Sequence, residues 1–406
     1  KDLCLKIAKS ESSSEVQSIL KKNGLWDSID RNWRNIGGIP NFNTQSVVGN
    51  QQAQPTNALV EKLVNCGDSA LILNCKQKKI GLNSKDAPNS PREAIETFFG
   101  VREGKWINSK GPSTEKIAEN YCNLIASGDK GIGSKPCYTI VDRAEGQHPE
   151  DFHKTFLTLS QGMKDKIKFV QGKFGMGSTG VLQFCEGGIQ LILSKKHPSL
   201  LNGQTKHEWG FTVTRRVEPE GEWKNSRWMY LVIGAEVPSF ESDSLDILPV
   251  VSSKNSEFKH GSFIKLYNYK IGRFRTSATL DLYYELNKRI VNPVVPVKIY
   301  ESRKFGKENR SATIYGLETR LEDNKERVVE DGFPTDLNFV VQGQKFEGQL
   351  YVYCRKNKTK RSKEDEAVMV DTSKYGHGII FTYNGQNIGE LPQQFLSSKG
   401  LKYENM

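Results

Sequence analysis

The segment from Asn57 to Asp68 limits the possible folds more than any other part of the chain. Leu59, Val60, Leu63, Val64 and Cys66 form an apolar stripe at helical spacing. Glu61, Asn65 and Asp68 follow one another at i, i+4 and i+7, so on a helix they fall within roughly 60° of each other. A helix is predicted from about Asn57 to Gly67. It must bury one side while holding a carboxylate, an amide and a second carboxylate in a row beside that buried side. Taken alone, the row also fits an ordinary surface helix; two later motifs separate the readings.

The first runs from Tyr138 to Gly146. Asp142 ends a predicted strand and Gly146 follows four residues later. A carboxylate in that position can accept a charge-assisted hydrogen bond from an adenine amino group, and a glycine lets backbone pass close by. The same residues could equally cap a turn. The second runs from Gln171 to Gly180, where Gly172, Lys173, Phe174, Gly175, Met176 and Gly177 lead toward a predicted helix. Amides of a glycine-rich loop and a following helix N-terminus suit phosphate, and Lys173 adds positive charge. An ordinary flexible loop is the alternative.

In this order, the motifs resemble the GHKL superfamily of gyrase, ninety-kilodalton heat-shock chaperones, histidine kinases and MutL. Glu61, Asn65 and Asp68 match its ExxxNxxD helix, and Asp142 with Gly146 matches part of DxGxG. Gly172, Gly175 and Gly177 match the glycine-rich lid hinge. Ser262, in the run from His260 to Leu266, stands where the late GTxIxL strand carries Thr. Ala144 replaces the first glycine of DxGxG, and the lid between Gly146 and Gly172 is short. The resemblance covers roughly residues 50–270 and is nearest to heat-shock-like ATP-binding proteins of bacterial phage-defence systems.

The resemblance implies an α+β fold: a Bergerat α/β sandwich with a mixed, mostly antiparallel sheet and helices on one face, then a transducer-like α/β domain. It implies a helical arm or strap over residues 1–50, an ATP-binding domain over 51–290 and the second unit over 291–406. It implies ATP and Mg²⁺ as cofactors. Glu61 would be the general base for hydrolysis and Asn65 a neutral oxygen ligand for Mg²⁺. Asp142, helped by Ser262, would read adenine, the loop from Gly172 to Gly177 would wrap the phosphates, and Asp68 would brace the pocket. Lys173, Arg355, Lys356 and Lys358 are candidates for a catalytic cation, with Gln386 a candidate contact to the γ-phosphate. Lid closure and homodimerisation through the N-terminal region would be the output, with protein partners of the same defence system.

Composition narrows the rest. The 406 residues carry a formal net charge of +11, which favours an anionic partner. The densest basic run is Arg355 to Lys363, read as a solvated loop tip or a phosphate-contacting patch. A nucleotide-sensing scaffold that binds nucleic acid without hydrolysis is therefore the rival function. The seven cysteines are scattered without a CxxC pair, which points to a reducing cytoplasm rather than a disulfide framework or zinc site. From Lys1 the opening is polar and reads as no secretory signal, and no stretch approaches the ~18 apolar residues of a membrane span.

Other nucleotide folds fit worse. Gly175, Gly177 and Gly180 spell a Rossmann glycine pattern, but the acidic residue it needs downstream is missing. The kinase HRD and DFG motifs are absent, and Gly128 to Lys135 lacks a Walker ending. No phospho-accepting histidine helix precedes the site. Helices are also expected at 91–99, 114–126, 149–159, 178–185 and 280–290. Strands are expected at 137–141, 188–194, 209–216, 228–235, 262–269, 297–300, 337–341, 350–354 and 379–383.

Overall fold

A computed structural model describes residues 1–37, 48, 52–131, 133–159, 164, 166–172, 179–201, 203, 206–221, 224–248, 257–272, 277–303, 305, 310–325, 327–354, 356–361, 367–369, 374 and 378–398. Strands are β1 (Trp33–Asn35), β2 (Asn123–Ser127), β3 (Cys137–Asp142), β4 (Gln190–Lys195), β5 (Trp209–Val217), β6 (Arg227–Leu231), β7 (Ser239–Phe240), the short pair β8 (Leu245–Asp246) and β9 (Glu257–Phe258), β10 (Gly261–Leu266), β11 (Val297–Glu301) and β12 (Arg310–Ile314). One sheet runs β1-β6-β5-β4-β10-β3-β2-β11-β12, with β7 beside β5. Every pairing in it is antiparallel except β11 with β2. The fold is thus α+β with a large, mostly antiparallel sheet.

Helices α1 (Asp2–Lys9), α2 (Ser13–Lys22), α3 (Ile29–Asn32), α4 (Pro55–Gln77), α5 (Pro91–Phe99), α6 (Pro112–Tyr121), α7 (Tyr283–Arg289), α8 (Leu317–Asp323) and α9 (Gln393–Ser398) complete the frame. Helix α4 opens with Pro55 at its first turn, where the missing N–H costs nothing. It runs ten residues beyond the predicted end at Gly67, because Ala70, Leu71, Ile72, Leu73 and Cys75 keep giving it buried side chains.

Side-chain alternation along the strands divides the core in two. Tyr138, Ile140, Ile264 and Leu266 face α4 and α7. Cys137, Val141, Leu191, Leu193 and Phe263 face the opposite way, onto Cys4, Ile7, Val16 and Leu20 of α1 and α2. Helices therefore cover both faces rather than the single face expected, because the sheet is apolar on both sides and neither can be left in water.

Several elements differ from the sequence reading. Residues 123–127 form strand β2, not the end of a helix, and lie buried along their whole length. Only short 3-10 turns, Pro149–Asp151 and Leu182–Phe184, occupy two regions expected to be helical. Strand β11 pairs with β2, so residues 297–301, expected in the second unit over 291–406, belong to the main sheet. Further on, β13 (Thr335–Val341) pairs with β14 (Gln344–Leu350), β15 (Lys356–Arg361) with β16 (Ala367–Met369), and β17 (Ile379–Tyr383) with β18 (Gln386–Leu391). Residues 351–354, expected as a strand, contribute only an isolated bridge from Tyr353 to Val329. Among the described residues no helix is long and apolar enough to cross a membrane, and all seven cysteines are free and buried.

Candidate functional site

Helix α4 presents Glu61, Asn65 and Asp68 along one edge. Asp68 is fully buried, and its carboxylate is completely engaged. Oδ1 accepts the Gln171 N–H at 2.8 Å, while Oδ2 accepts the Gly172 N–H at 3.0 Å and the Lys164 ammonium at 3.0 Å. Lys164 also donates to Asn65 Oδ1 at 3.0 Å. The start of the glycine loop is thereby fixed on the polar edge of the helix. A Cβ on Gly172 would lie 3.0 Å from Asp68 Oδ2 and 3.4 Å from Asn65 Oδ1, so glycine permits this approach. Gly175, Gly177, Lys173, Phe174 and Met176 lie outside the described residues, as does the Arg355 side chain with those of Lys356 and Lys358.

The Asp142 motif reaches the same helix one residue further on. Ser69 Oγ accepts the Glu145 N–H at 3.3 Å, and Lys76 pairs with the Glu145 carboxylate at 2.5 Å. Cys66, whose thiol is pushed well up by its hydrogen bond with Cys122 and by burial, also feels the Asp142 charge. Alternation along β3 aims Asp142 at the α4 side, with Tyr138 and Ile140.

Register then builds a polar row across three strands. Asp142 pairs with Ser262, and Ser262 with Ser194. Ser194 Oγ donates to the Gly261 carbonyl at 2.8 Å, lies 3.3 Å from Ser262 Oγ, and accepts the Gln147 N–H at 2.9 Å. Burial raises the Asp142 carboxyl to about 7, against the pull of the Ala144 N–H and the Ser262 hydroxyl. Ala144 donates that N–H at 3.0 Å and does not have a positive φ, so alanine sits there without strain. Gly146 does have a positive φ of 57°, and a Cβ there would strike the Lys195 carbonyl. Its glycine is required by the neighbouring strand.

Glu61 sits half-buried and accepts a hydrogen bond from the Gln52 side chain. Burial raises its pKa, and the Gln52 amide and the Lys62 charge pull it partly back. Lys62 is itself buried, which lowers its pKa to about 8.

Lys164, Ser194 and Gln52 were not singled out by the sequence. Lys164 had a signal in Lys164, Lys166 and Lys168, which alternate just before the glycine loop. Ser194 becomes visible only through strand register. A cavity of about 260 Å³ lined by Arg92, Lys105, Trp106, Glu318 and Asn384 shares no residue with this site. No family model matches the chain, and no curated protein matches it in sequence.

The residues suit the groups that the resemblance implies. A buried carboxylate beside the Ser262 hydroxyl is an acceptor of the kind an adenine amino group satisfies. Asn65 offers a neutral oxygen suited to Mg²⁺, which keeps water and phosphate oxygens as its other ligands. Among the described residues no group of three or more His, Cys, Asp and Glu could hold a metal ion, so phosphate would have to complete the ligand set. Lys164, now on Asn65 and Asp68, is a mobile-headed cation that phosphate oxygens could draw away.

Proposed function

We propose that this protein is a GHKL-type ATPase that binds ATP with Mg²⁺ between α4, the Asp142–Ser262–Ser194 row and the glycine loop, and hydrolyses it slowly. One observation carries the reading. The two oxygens of Asp68 grip the first residues of the glycine loop, while its neighbour Ser69 grips the turn after Asp142. Three motifs widely separated in sequence thus meet along one helix, which supports a shared nucleotide site.

In this reading Asp142 accepts a hydrogen bond from the adenine amino group, and Ser262, itself beside Ser194, fixes the orientation of its carboxylate. Asn65 contributes an oxygen to Mg²⁺, which supplies charge neutralisation on the phosphates when bound. Lys164 provides a second positive charge against the phosphate tail. Glu61 takes the proton from the attacking water as the terminal phosphoryl bond breaks, leaving ADP and inorganic phosphate. A base with a raised pKa suits that task near neutral pH. Closure of the glycine loop over the nucleotide would then drive pairing of two copies.

Glu61→Ala should retain nucleotide binding and lose hydrolysis by at least about a hundredfold, whereas Asn65→Ala should lose the Mg²⁺-dependent part of binding. Calorimetric titration with a non-hydrolysable analogue, with and without Mg²⁺, and a phosphate-release assay read both. Wild-type hydrolysis in both variants would eliminate this function.

A further inference from the structure

The segment before α4 touches the proposed base. The Gln52 side-chain amide donates to Glu61 Oε1. The Gln52 carbonyl in turn accepts the Gln183 side-chain amide at 2.6 Å. Gln183 belongs to the 3-10 turn Leu182–Phe184, just beyond the glycine loop. The segment around Gln52 is also anchored independently, because Arg289 donates to Gln54 Oε1 at 3.0 Å and to Asn57 Oδ1 at 2.7 Å, and the Tyr269 hydroxyl donates to the Pro55 carbonyl at 2.8 Å.

The chain before and after the glycine loop is therefore tied to the polar edge of α4, by different routes. The near end is held directly, through Gln171 and Gly172 on Asp68. The turn Leu182–Phe184 is held indirectly, through Gln183, Gln52 and Glu61. We infer that Gln52 is the positioning residue for Glu61, and that Gln183 makes its grip depend on where the turn Leu182–Phe184 sits. This rests on the reading of Glu61 as the base.

The chemistry is specific. An amide N–H stabilises the ionised carboxylate and fixes one of its oxygens, leaving orientation of the other determined. Burial acts in the opposite sense on Glu61, and the Gln52 amide counteracts it. Without that amide, the carboxyl would hold its proton to higher pH and rotate freely, and a protonated carboxyl cannot accept a proton from water. A shift of the Gln183 turn would weaken the same contact from a distance.

The test uses the full chain in wild-type, Gln52→Ala, Gln52→Asn, Gln183→Leu and Glu61→Ala forms. The first readout is the carboxyl titration of Glu61 by NMR, with glutamate labelled at its side-chain carbon and Glu61→Gln used for assignment. The second is the pH profile of ATP hydrolysis. Gln52→Ala should raise the Glu61 pKa and move the acid limb of the profile to higher pH, with a kcat about tenfold lower near neutrality and KM unchanged. Gln183→Leu should move both readouts the same way by less, and Gln52→Asn should recover part of the loss. An unchanged Glu61 titration in Gln52→Ala overturns the inference, as does a kcat loss with no displacement of the pH profile. Should Glu61→Ala hydrolyse ATP normally, the reading of the base fails, and the titration still judges the Gln52 contact by itself.

Discussion

Burial holds the Asp142 carboxyl at about 7, up from its ordinary 3.8, and this has consequences for both stability and binding. The folded chain keeps a proton there that the unfolded chain has already released. The stabilisation associated with Asp142 is thus complete below about 4 and lost as pH rises through about 7. Asp142→Asn removes the titration while keeping an acceptor oxygen. Its melting temperature without nucleotide should equal the wild-type value near pH 4 and exceed it at pH 8, by on the order of 1 kcal/mol or more of stability. The ionised carboxylate accepts from adenine more strongly than the neutral acid, so ATP affinity of the wild type should rise from pH 6 to pH 8, by up to about tenfold. In Asp142→Asn binding should be weak and flat across that range. Thermal unfolding and calorimetric titration at the two pH values check both; a wild-type pH dependence in the variant would show that another group titrates. Glu61, Asn65, Asp68 and Asp142 were legible in the sequence because each lies in a short run whose local spacing carries the meaning. Ser194, Gln52 and Gln183 were not, because their roles come from contacts with residues far away in sequence, and spacing holds no record of such contacts.

Elements follow the same division. Helix α4 could be read from its period, and its extension to Gln77 reflects burial that continues past Gly67. Strand β2 could not, because the run from Asn123 to Ser127 is buried on both faces and a short apolar run has no strand period to display. The expected helix at 149–159 gave way to turns in which Phe152 and Leu157 pack together against Ile192 of β4. Gly67 marks where α4 meets the later chain. A Cβ there would lie 2.5 Å from Val294 Cγ2, so the glycine lets the segment from Pro293 to Val295 cross the helix closely. Gly67→Ala gains about 1 kcal/mol of helix propensity and incurs overpacking of about 1–3 kcal/mol. The net effect should be destabilising, and Gly67→Ala combined with Val294→Ala should be less destabilised than the sum of the single variants. Additive melting data for the pair would show that the crossing is not tight.

On the scale of the molecule, one buried side chain connects the site to the C-terminal hairpins. The main chain of Gln171 is held by Asp68, while its side chain points the other way. Its amide donates to the Asn292 carbonyl at 2.7 Å and the Asn384 carbonyl at 2.8 Å, and its Oε1 accepts the Val294 N–H at 3.3 Å. Asn384 donates back to the Val170 carbonyl at 3.3 Å. Asn384 and Gly385 form the tip between β17 and β18, with φ of 52° and 79°, which is the geometry that Asn-Gly favours in a two-residue hairpin. An Asn-Gly pair reads as a turn from sequence alone, but nothing in that pair signals docking beside Gln171. Anything that moves Gly172 must therefore move Gln171, and with it the tip of the hairpin. Gln171→Ala removes three hydrogen bonds to three separate backbone positions and leaves the Asp68 contact to the main chain intact. Hydrogen exchange of the β17 and β18 amides should accelerate about tenfold or more in this variant, consistent with loss of roughly 1.4 kcal/mol or more of local stability. Exchange in α4 should change little. In the wild type, an ATP analogue with Mg²⁺ should alter exchange in the same two strands, and in Gln171→Ala that response should disappear. If nucleotide changes exchange at β17 and β18 equally in both proteins, the signal travels by another route, and the contact between Gln171 and Asn384 is packing alone.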